Sequence, residues 1–376
     1  MKQLKVAIIG CGFIGNGKHL PSLVRQEGVE VVAFCDLVIE RAQASAKQFG
    51  TADALVCTDY QDVLKRTDID MVHVCTPNST HAEISIAAMK SGKHVMCEKP
   101  MAKTAAEAKA MLDTSRETGK LLTIGYQNRF REDSLFLKSL CDEGQLGEIY
   151  FAKAFATRRR GVPTWGVFMD KEKQGGGPLI DLGTHALDLT LWMMQNYEPD
   201  VVLGSTFDKL AKIGSPANSG GPWDTAKYEV EDAAFGLVQF KNGATVTIES
   251  SWALNMLQTN EALTLLCGTK AGADMFPPGG PVLRAADFQG AATYNVRVNG
   301  EHGGKLFVNN YAMGAAFIPG GRPEDFNGGF KEAQAWVKAV RGEAELVVKP
   351  EQAYTVTCIL DSIYRSAAQG EAVKVA

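Results

Sequence analysis

A basic excess is missing from this chain of 376 residues: Lys and Arg number 39 against 43 Asp and Glu, a net charge of −4. Proteins whose work is on nucleic acid normally carry a basic patch or stripe. No apolar run approaches the ~18 residues of a membrane span. The opening MKQLKVAIIGCGFIG has an apolar stretch too short and glycine-broken for a signal peptide. None of the eight cysteines forms a C-x-x-C pair, which excludes zinc-ribbon and thioredoxin-like readings. Cys35, Cys75 and Cys97 end apolar runs, where a thiol serves as a small buried hydrophobe. A reducing cytoplasm and no metal are expected. With 45% hydrophobic and 22% charged residues, the composition excludes disorder, collagen and coiled coil. At about 150 residues per domain, two or three domains are expected.

What is present falls into two patterns. In the first third, short apolar runs alternate with amphipathic segments: 6–9, 31–35, 71–75, 94–97 and 121–124 as strands, with helices between them. Continuous apolar strands separated by helices indicate a parallel sheet covered on both faces. Beyond about Gly125 the pattern changes. Thr245, Thr247, Glu249 and Ser251 alternate with Ala244, Val246, Ile248 and Trp252, and Asn242-Gly243 joins this strand to 233–240 with a type I′ hairpin signal. Residues 268–325 are rich in Gly and Pro and show no clear period. Two amphipathic helices close the chain. The expected fold class is α/β. A Rossmann dinucleotide-binding domain spans 1–125. An α+β domain with a large open, mostly antiparallel sheet spans 126–376, its last helices able to pack back on the first domain.

Gly10-Cys11-Gly12-Phe13-Ile14-Gly15 is G-x-G-x-x-G between a strand and a helix. The glycines allow a tight turn and close backbone approach to a pyrophosphate, which the helix N-terminus favours. Asp36 ends the next strand, where a carboxylate accepts hydrogen bonds from the adenosine ribose. It would repel a 2′-phosphate. Leu37 and Val38 follow it in place of the Arg or Ser that would hold that phosphate, so NAD is expected rather than NADP. Arg41, one turn into the helix, could cover the adenine or pair with Glu40. Thr76-Pro77-Asn78-Ser79-Thr80-His81 lies past another strand, at the carboxyl end where ligands of open sheets collect.

Two constellations carry chemistry. Cys97-Glu98-Lys99-Pro100 ends the apolar run 94–97, and Pro100 biases Lys99 toward an extended conformation. Gly175-Gly176-Gly177-Pro178 leads into Asp181, His185 and Asp188, which share a helix face if the helix begins by Asp181. An Asp–His pair one turn apart can relay a proton. An Asp cap with a satisfied core histidine is the structural alternative.

Together, Gly10-x-Gly12-x-x-Gly15, Glu98-Lys99-Pro100 and Gly176-Gly177-Pro178-x-x-Asp181-x-x-x-His185 resemble the Gfo/Idh/MocA family of NAD(P)-dependent oxidoreductases, which includes inositol dehydrogenase and glucose–fructose oxidoreductase. The resemblance covers essentially the whole chain. It implies that Lys99, Asp181 and His185 occupy catalytic positions. It implies cofactor contacts at Gly10, Gly12, Gly15, Asp36, Thr76, Asn78, His81, Glu98 and Gln127; Phe13, Ile14, Arg41, Pro77 and Lys99 join them by position. It also implies a homodimer or homotetramer formed through the open sheet. Arg158-Arg159-Arg160 and Trp165 fall where the family's substrate cleft is bordered, so Arg158, Arg159 and Trp165 join Asp181 and His185 as substrate-binding candidates.

The expected activity is hydride transfer between NAD and a secondary alcohol of a sugar, glycoside or cyclitol. His185 is the expected base, because histidine titrates nearest neutrality. Lys99 is the polarising and relay group, with the reverse assignment open. Two other classes compete: a redox-assisted glycosidase or lyase that returns its hydride, and a nucleotide-binding sensor subunit without turnover. Net NADH accumulation separates the first. Retention of Lys99, Asp181 and His185 weighs against the second.

Overall fold

The computed structural model of the protein describes residues 3–257, 259–276, 294–313 and 328–375. It divides into two compact units, Met1–Gln127 with Arg322–Tyr354, and Asn128–Gly321 with Thr355–Ala376.

In the first unit the apolar runs become six strands: β1 (Leu4–Ile9), β2 (Val29–Cys35), β3 (Leu55–Cys57), β4 (Met71–Val74), β5 (His94–Cys97) and β6 (Leu122–Ile124). Between them lie α1 (Leu20–Leu23), α2 (Ile39–Phe49), α3 (Tyr60–Leu64), α4 (His81–Lys90) and α5 (Ala105–Thr118). Local chemistry sets their ends. The Thr104 side chain accepts the Glu107 N–H at the start of α5, and Gly119 stops that helix at φ 65°. The strand order is β3-β2-β1-β4-β5-β6 with parallel pairing, the doubly wound arrangement. Its order reverses between β1 and β4, so their carboxyl ends open the crevice where such sheets bind ligands.

The second unit holds α6 (Glu132–Asp142), β7 (Ile149–Thr157), α7 (Lys171–Gln174), α8 (Thr184–Met194), β8 (Pro199–Phe207), β9 (Ala233–Phe240), β10 (Thr245–Ser251), β11 (Asn260–Gly268), β12 (Ala271–Asp274), β13 (Tyr294–His302) and β14 (Lys305–Met313). Next come α9 (Gly328–Val340), which belongs to the first unit, then α10 (Pro350–Gln369) and β15 (Val373–Lys374). The nine strands run β14-β13-β12-β11-β7-β10-β9-β8-β15; β7 and β10 pair in parallel and the rest are antiparallel. Gly204 and Gly236 keep one face clear for Ile363 of α10. The opposite face of β8 and β9 exposes Leu203, Phe207 and Leu237.

Two local expectations change. The β9–β10 connection is a three-residue loop rather than a two-residue type I′ turn. The Phe240 N–H reaches the Ala244 carbonyl at 2.8 Å, and Gly243 alone has positive φ. The Asn242 side chain accepts from the Ala244 N–H and from Asn196, which holds Asn242 out of the left-handed region a type I′ turn needs. The segment after the glycine loop is π-helical over Gly15–His19, and only Leu20–Leu23 is α-helical, because Pro21 has no N–H to continue an α pattern. Much of the patternless stretch 268–325 lies outside the described residues.

Candidate active site

The glycine loop is dictated by close approach. Gly10 sits at φ 99°, and a Cβ there would lie 2.3 Å from the Cys75 carbonyl oxygen. A Cβ on Gly15 would lie 2.5 Å from the Gly10 carbonyl. A Cβ on Gly12 would meet nothing within 4 Å, which leaves that side of the backbone open to a ligand. Phe13 is exposed, whereas Ile14 packs on the core of the first unit. The Asp36 carboxylate accepts the Cys11 and Val38 N–H groups, each at 2.9 Å, and so braces the loop. Leu37 beside it is exposed, and Arg41 lies exposed in the first turn of α2. Asn16, which the sequence reading missed, ties the loop from below. Its amide donates to the Cys11 and Gly12 carbonyls and accepts from Ser45. An Asn directly after the last glycine was the available signal, since Asn side chains bond nearby backbone. The Cys11 thiol is pushed up to about 12, chiefly by burial, so it is not a nucleophile at neutral pH.

At the end of β4, Thr76 and Pro77 remain accessible and Asn78 is buried at the start of a 3₁₀ turn. His81 is fully buried at the head of α4. Its Nδ1 faces the Pro100 carbonyl at 2.8 Å and its Nε2 the Thr76 carbonyl at 2.9 Å, so the imidazole ties two loops together. Burial lowers its pKa, against the upward pull of those carbonyls. At the end of β5, Glu98 is buried while Lys99 keeps partial exposure. The Glu98 carboxylate accepts the Lys99 N–H at 3.1 Å and bonds His19 Nε2 at 2.7 Å. It also pairs with Lys18, whose ammonium approaches Gln127 at 3.4 Å.

The second unit builds its constellation as tightly. Gly175, at φ 89°, ends α7. A Cβ on Gly176 would lie 2.1 Å from the Tyr364 hydroxyl, and one on Gly177 2.1 Å from the Glu231 carbonyl. Glu231 accepts the Gly177 N–H (2.8 Å), the Leu179 N–H (3.2 Å) and the Tyr364 hydroxyl (2.8 Å). Ser250 donates to the Pro178 carbonyl at 2.6 Å. These bonds fix the glycine-rich approach to Asp181. Asp181 lies in a π turn, Leu179–Gly183, and His185 follows in the first turn of α8. Trp252 Nε1–H donates to Asp181 at 3.0 Å. Asp188 is held by Arg129 in a bidentate, fully buried pair at 2.6 and 2.9 Å. Asp188 is thus engaged in a structural ion pair.

Arg158 is held by Glu261 at 2.6 and 2.7 Å and by the Gly161 carbonyl. Arg160 donates to Asn255 and to backbone, whereas Arg159 is exposed. Trp165, 56% exposed, meets Phe168 edge-on at 6.1 Å, and Phe168 meets Trp252 at 6.2 Å. Two ring contacts thus link an exposed indole to the tryptophan that holds Asp181.

The first unit fits a dinucleotide: a glycine bend with one open backbone position, and a carboxylate already fixed at the end of β2. Among the described residues no group of three or more His, Cys, Asp or Glu could hold a metal ion, and no helix is long and apolar enough to cross a membrane.

Comparison with known proteins gives a consistent picture. The profile of the GFO/IDH/MocA oxidoreductase family with an NAD-binding Rossmann fold matches residues 4–126, and that of the GFO/IDH/MocA C-terminal domain matches 135–273. The D-glucoside 3-dehydrogenase of Escherichia coli K12 is 36% identical over 374 residues, covering 99% of this chain and 97% of the relative. The inositol 2-dehydrogenase of Salmonella typhimurium LT2 is 37% identical over 147 residues, covering 39% of this chain and 43% of the relative. A structure of levoglucosan dehydrogenase in complex with NADH and L-sorbose superposes with a TM-score of 0.80 at 22% identity, with full coverage of both chains.

Proposed function

Because the chain belongs to the GFO/IDH/MocA oxidoreductase family, we propose that it oxidises one secondary hydroxyl of a glucoside or a closely related pyranose, with NAD as acceptor. The observation that carries this reading is the full-length likeness to a D-glucoside 3-dehydrogenase. NAD, when bound, supplies the hydride acceptor. Gly10, Gly12 and Gly15 would hold its pyrophosphate and Asp36 its ribose, with Thr76, Pro77, Asn78 and Arg41 lining the same edge of the sheet. Asp36 favours NAD over NADP.

The chain's own task is the proton. A C–H gives up hydride only as its hydroxyl loses a proton, so a base must reach that oxygen. We assign the base role to His185. Asp181, held by Trp252, orients the substrate, and Lys99 polarises the reacting oxygen. Trp165 is a platform for a sugar face, since an indole offers a large apolar surface with a polar edge. The protein works in the cytoplasm as a homo-oligomer assembled through the open face of its larger sheet.

A spectrophotometric screen of glucosides, levoglucosan, free aldoses and inositols, with NAD and with NADP, tests the reading. NADH should accumulate with at least one glucoside. Substrate conversion without NADH accumulation would replace this reading with a redox-neutral one. Lys99→Ala and His185→Ala should each lower kcat by roughly 10²–10⁴-fold while NAD still binds. Turnover near the wild-type rate in either variant would remove that residue from the proton path.

A further inference from the structure

Beneath Lys99 the first unit buries an unusual set of polar groups. Lys18, from the π turn after the glycine loop, has a side chain only 10% exposed. It pairs with Glu98 and, at 3.0 Å, with Glu332 of α9, whose side chain is 3% exposed. His19 Nε2 lies 2.7 Å from Glu98, and its Nδ1 lies 2.8 Å from His73 Nδ1. Gly125 leaves room for the cluster: a Cβ there would lie 2.9 Å from Glu98 Oε1 and 3.2 Å from the Lys18 ammonium.

An unpaired charge at such burial is strongly disfavoured. Glu98 is therefore ionised because of its neighbours: burial alone would raise its pKa, yet Lys18 and His19 hold it well below the carboxylate range. Burial lowers the pKa values of His19 and His73, and Lys18 lowers both further, which disfavours a charge on either imidazole. Lys18 is thus the cation that keeps the Glu98 carboxylate charged and in place.

The other oxygen of Glu98 accepts the Lys99 N–H. On the far side of Lys99, His81 holds the Pro100 carbonyl. The backbone carrying Lys99 is therefore clamped on both sides, and one clamp is anchored on α9, at the other end of the sequence. We propose that Lys18 and Glu332 are positioning residues for Lys99, acting through Glu98. The functional part of the proposal rests on Lys99 being the catalytic lysine; the clamp itself does not. A misplacement of about 1 Å at a reacting group can cost on the order of 10²-fold in rate, so this support has leverage.

Hydrogen exchange of the peptide spanning 95–101, in protein without ligand, reads the clamp directly, because the Lys99 amide is the clamped donor. Lys18→Met should speed that amide's exchange about 10-fold while peptides from α5 and the second unit stay unchanged. It should lower kcat about 10-fold and leave the NAD dissociation constant, from a fluorescence titration, within about 3-fold. Glu332→Gln keeps the shape and should give smaller changes in the same direction, and it decides the matter should Lys18→Met not fold. In a Lys99→Met background, Glu332→Gln should lower kcat no further. Wild-type exchange and kcat in Glu332→Gln would overturn the proposal, as would a loss of NAD affinity equal to the loss of kcat/KM. Wild-type turnover in Lys99→Met would instead overturn the catalytic reading of Lys99, with the exchange result still judging the clamp.

Discussion

Asp36 holds its loop, and its charge bears on the proposed preference for NAD. Its two oxygens accept the Cys11 and Val38 N–H groups, so the negative charge is fixed at the end of β2. A 2′-phosphate there would meet a like charge costing about 1–4 kcal/mol in a partly solvated site. Asp36→Ser with Leu37→Arg is expected to move the NADP/NAD ratio of kcat/KM toward NADP by about 10-fold or more. A wild-type enzyme that already prefers NADP would contradict the argument. Glu332 gives a second prediction at this scale. Burial raises its carboxyl from 4.5 to about 7 in the folded chain, with Lys18 pulling the other way. Between those values the unfolded chain has released a proton that the folded chain still holds, so this group's contribution to stability falls as pH rises through that window. Gln cannot ionise. Thermal unfolding should show Glu332→Gln gaining on the wild type from pH 5 to pH 8. A gap independent of pH would show that Glu332 does not keep its proton.

Among the elements, the π turn carrying Asp181 depends most on a neighbour. Its entry has no helix cap: the N–H groups of Gly177 and Leu179 go to the Glu231 carboxylate, which Tyr364 of α10 supports. Glu231→Ala would strand those donors and should destabilise the protein by roughly 3 kcal/mol, measured by denaturant unfolding. Gly177→Ala should be more harmful to activity than to solubility, because its methyl would strike the Glu231 backbone and shift Asp181 and His185 together. A Gly177→Ala variant with unchanged kcat would show that the turn tolerates the shift. The Gly-Gly-Pro sequence was legible as a close approach, but the chain it approaches was not. Nothing local announces that Tyr364 and Glu231 meet there.

At the scale of the molecule, the nine-stranded sheet leaves Leu203 and Leu237, a directly paired cross-strand couple, exposed together with Phe207. Contiguous apolar surface of this kind marks an interaction face, and closed symmetric dimers are the commonest way to cover one. Light scattering at micromolar concentration should give a dimer or tetramer, and Leu237→Asp should shift it toward the 40.5 kDa monomer. A wild type that is monomeric throughout would remove the proposal. The covered face of the same sheet makes the contrast, since Gly204 and Gly236 lie under Ile363.

The sequence by itself determined the nucleotide-binding half. Its strands are uninterrupted apolar runs and its turns need positive φ or a missing Cβ, signals that lie within a few residues of the structure they produce. It also offered Lys99, Asp181 and His185 as candidates, Lys99 by its place before Pro100 at a strand end and all three through the family resemblance. Only the tertiary structure decided which charges are free to act. Asp188, on the helix face of His185, is taken by Arg129, and His81, implied as a cofactor contact, lies buried between two carbonyls. Trp336 and Glu332 join the first unit from the far end of the chain, one to fill its core and one to anchor Lys18. The physical reason is common to all of these. Burial makes a charge expensive without a partner, and that partner is supplied by packing, which no local period or spacing records.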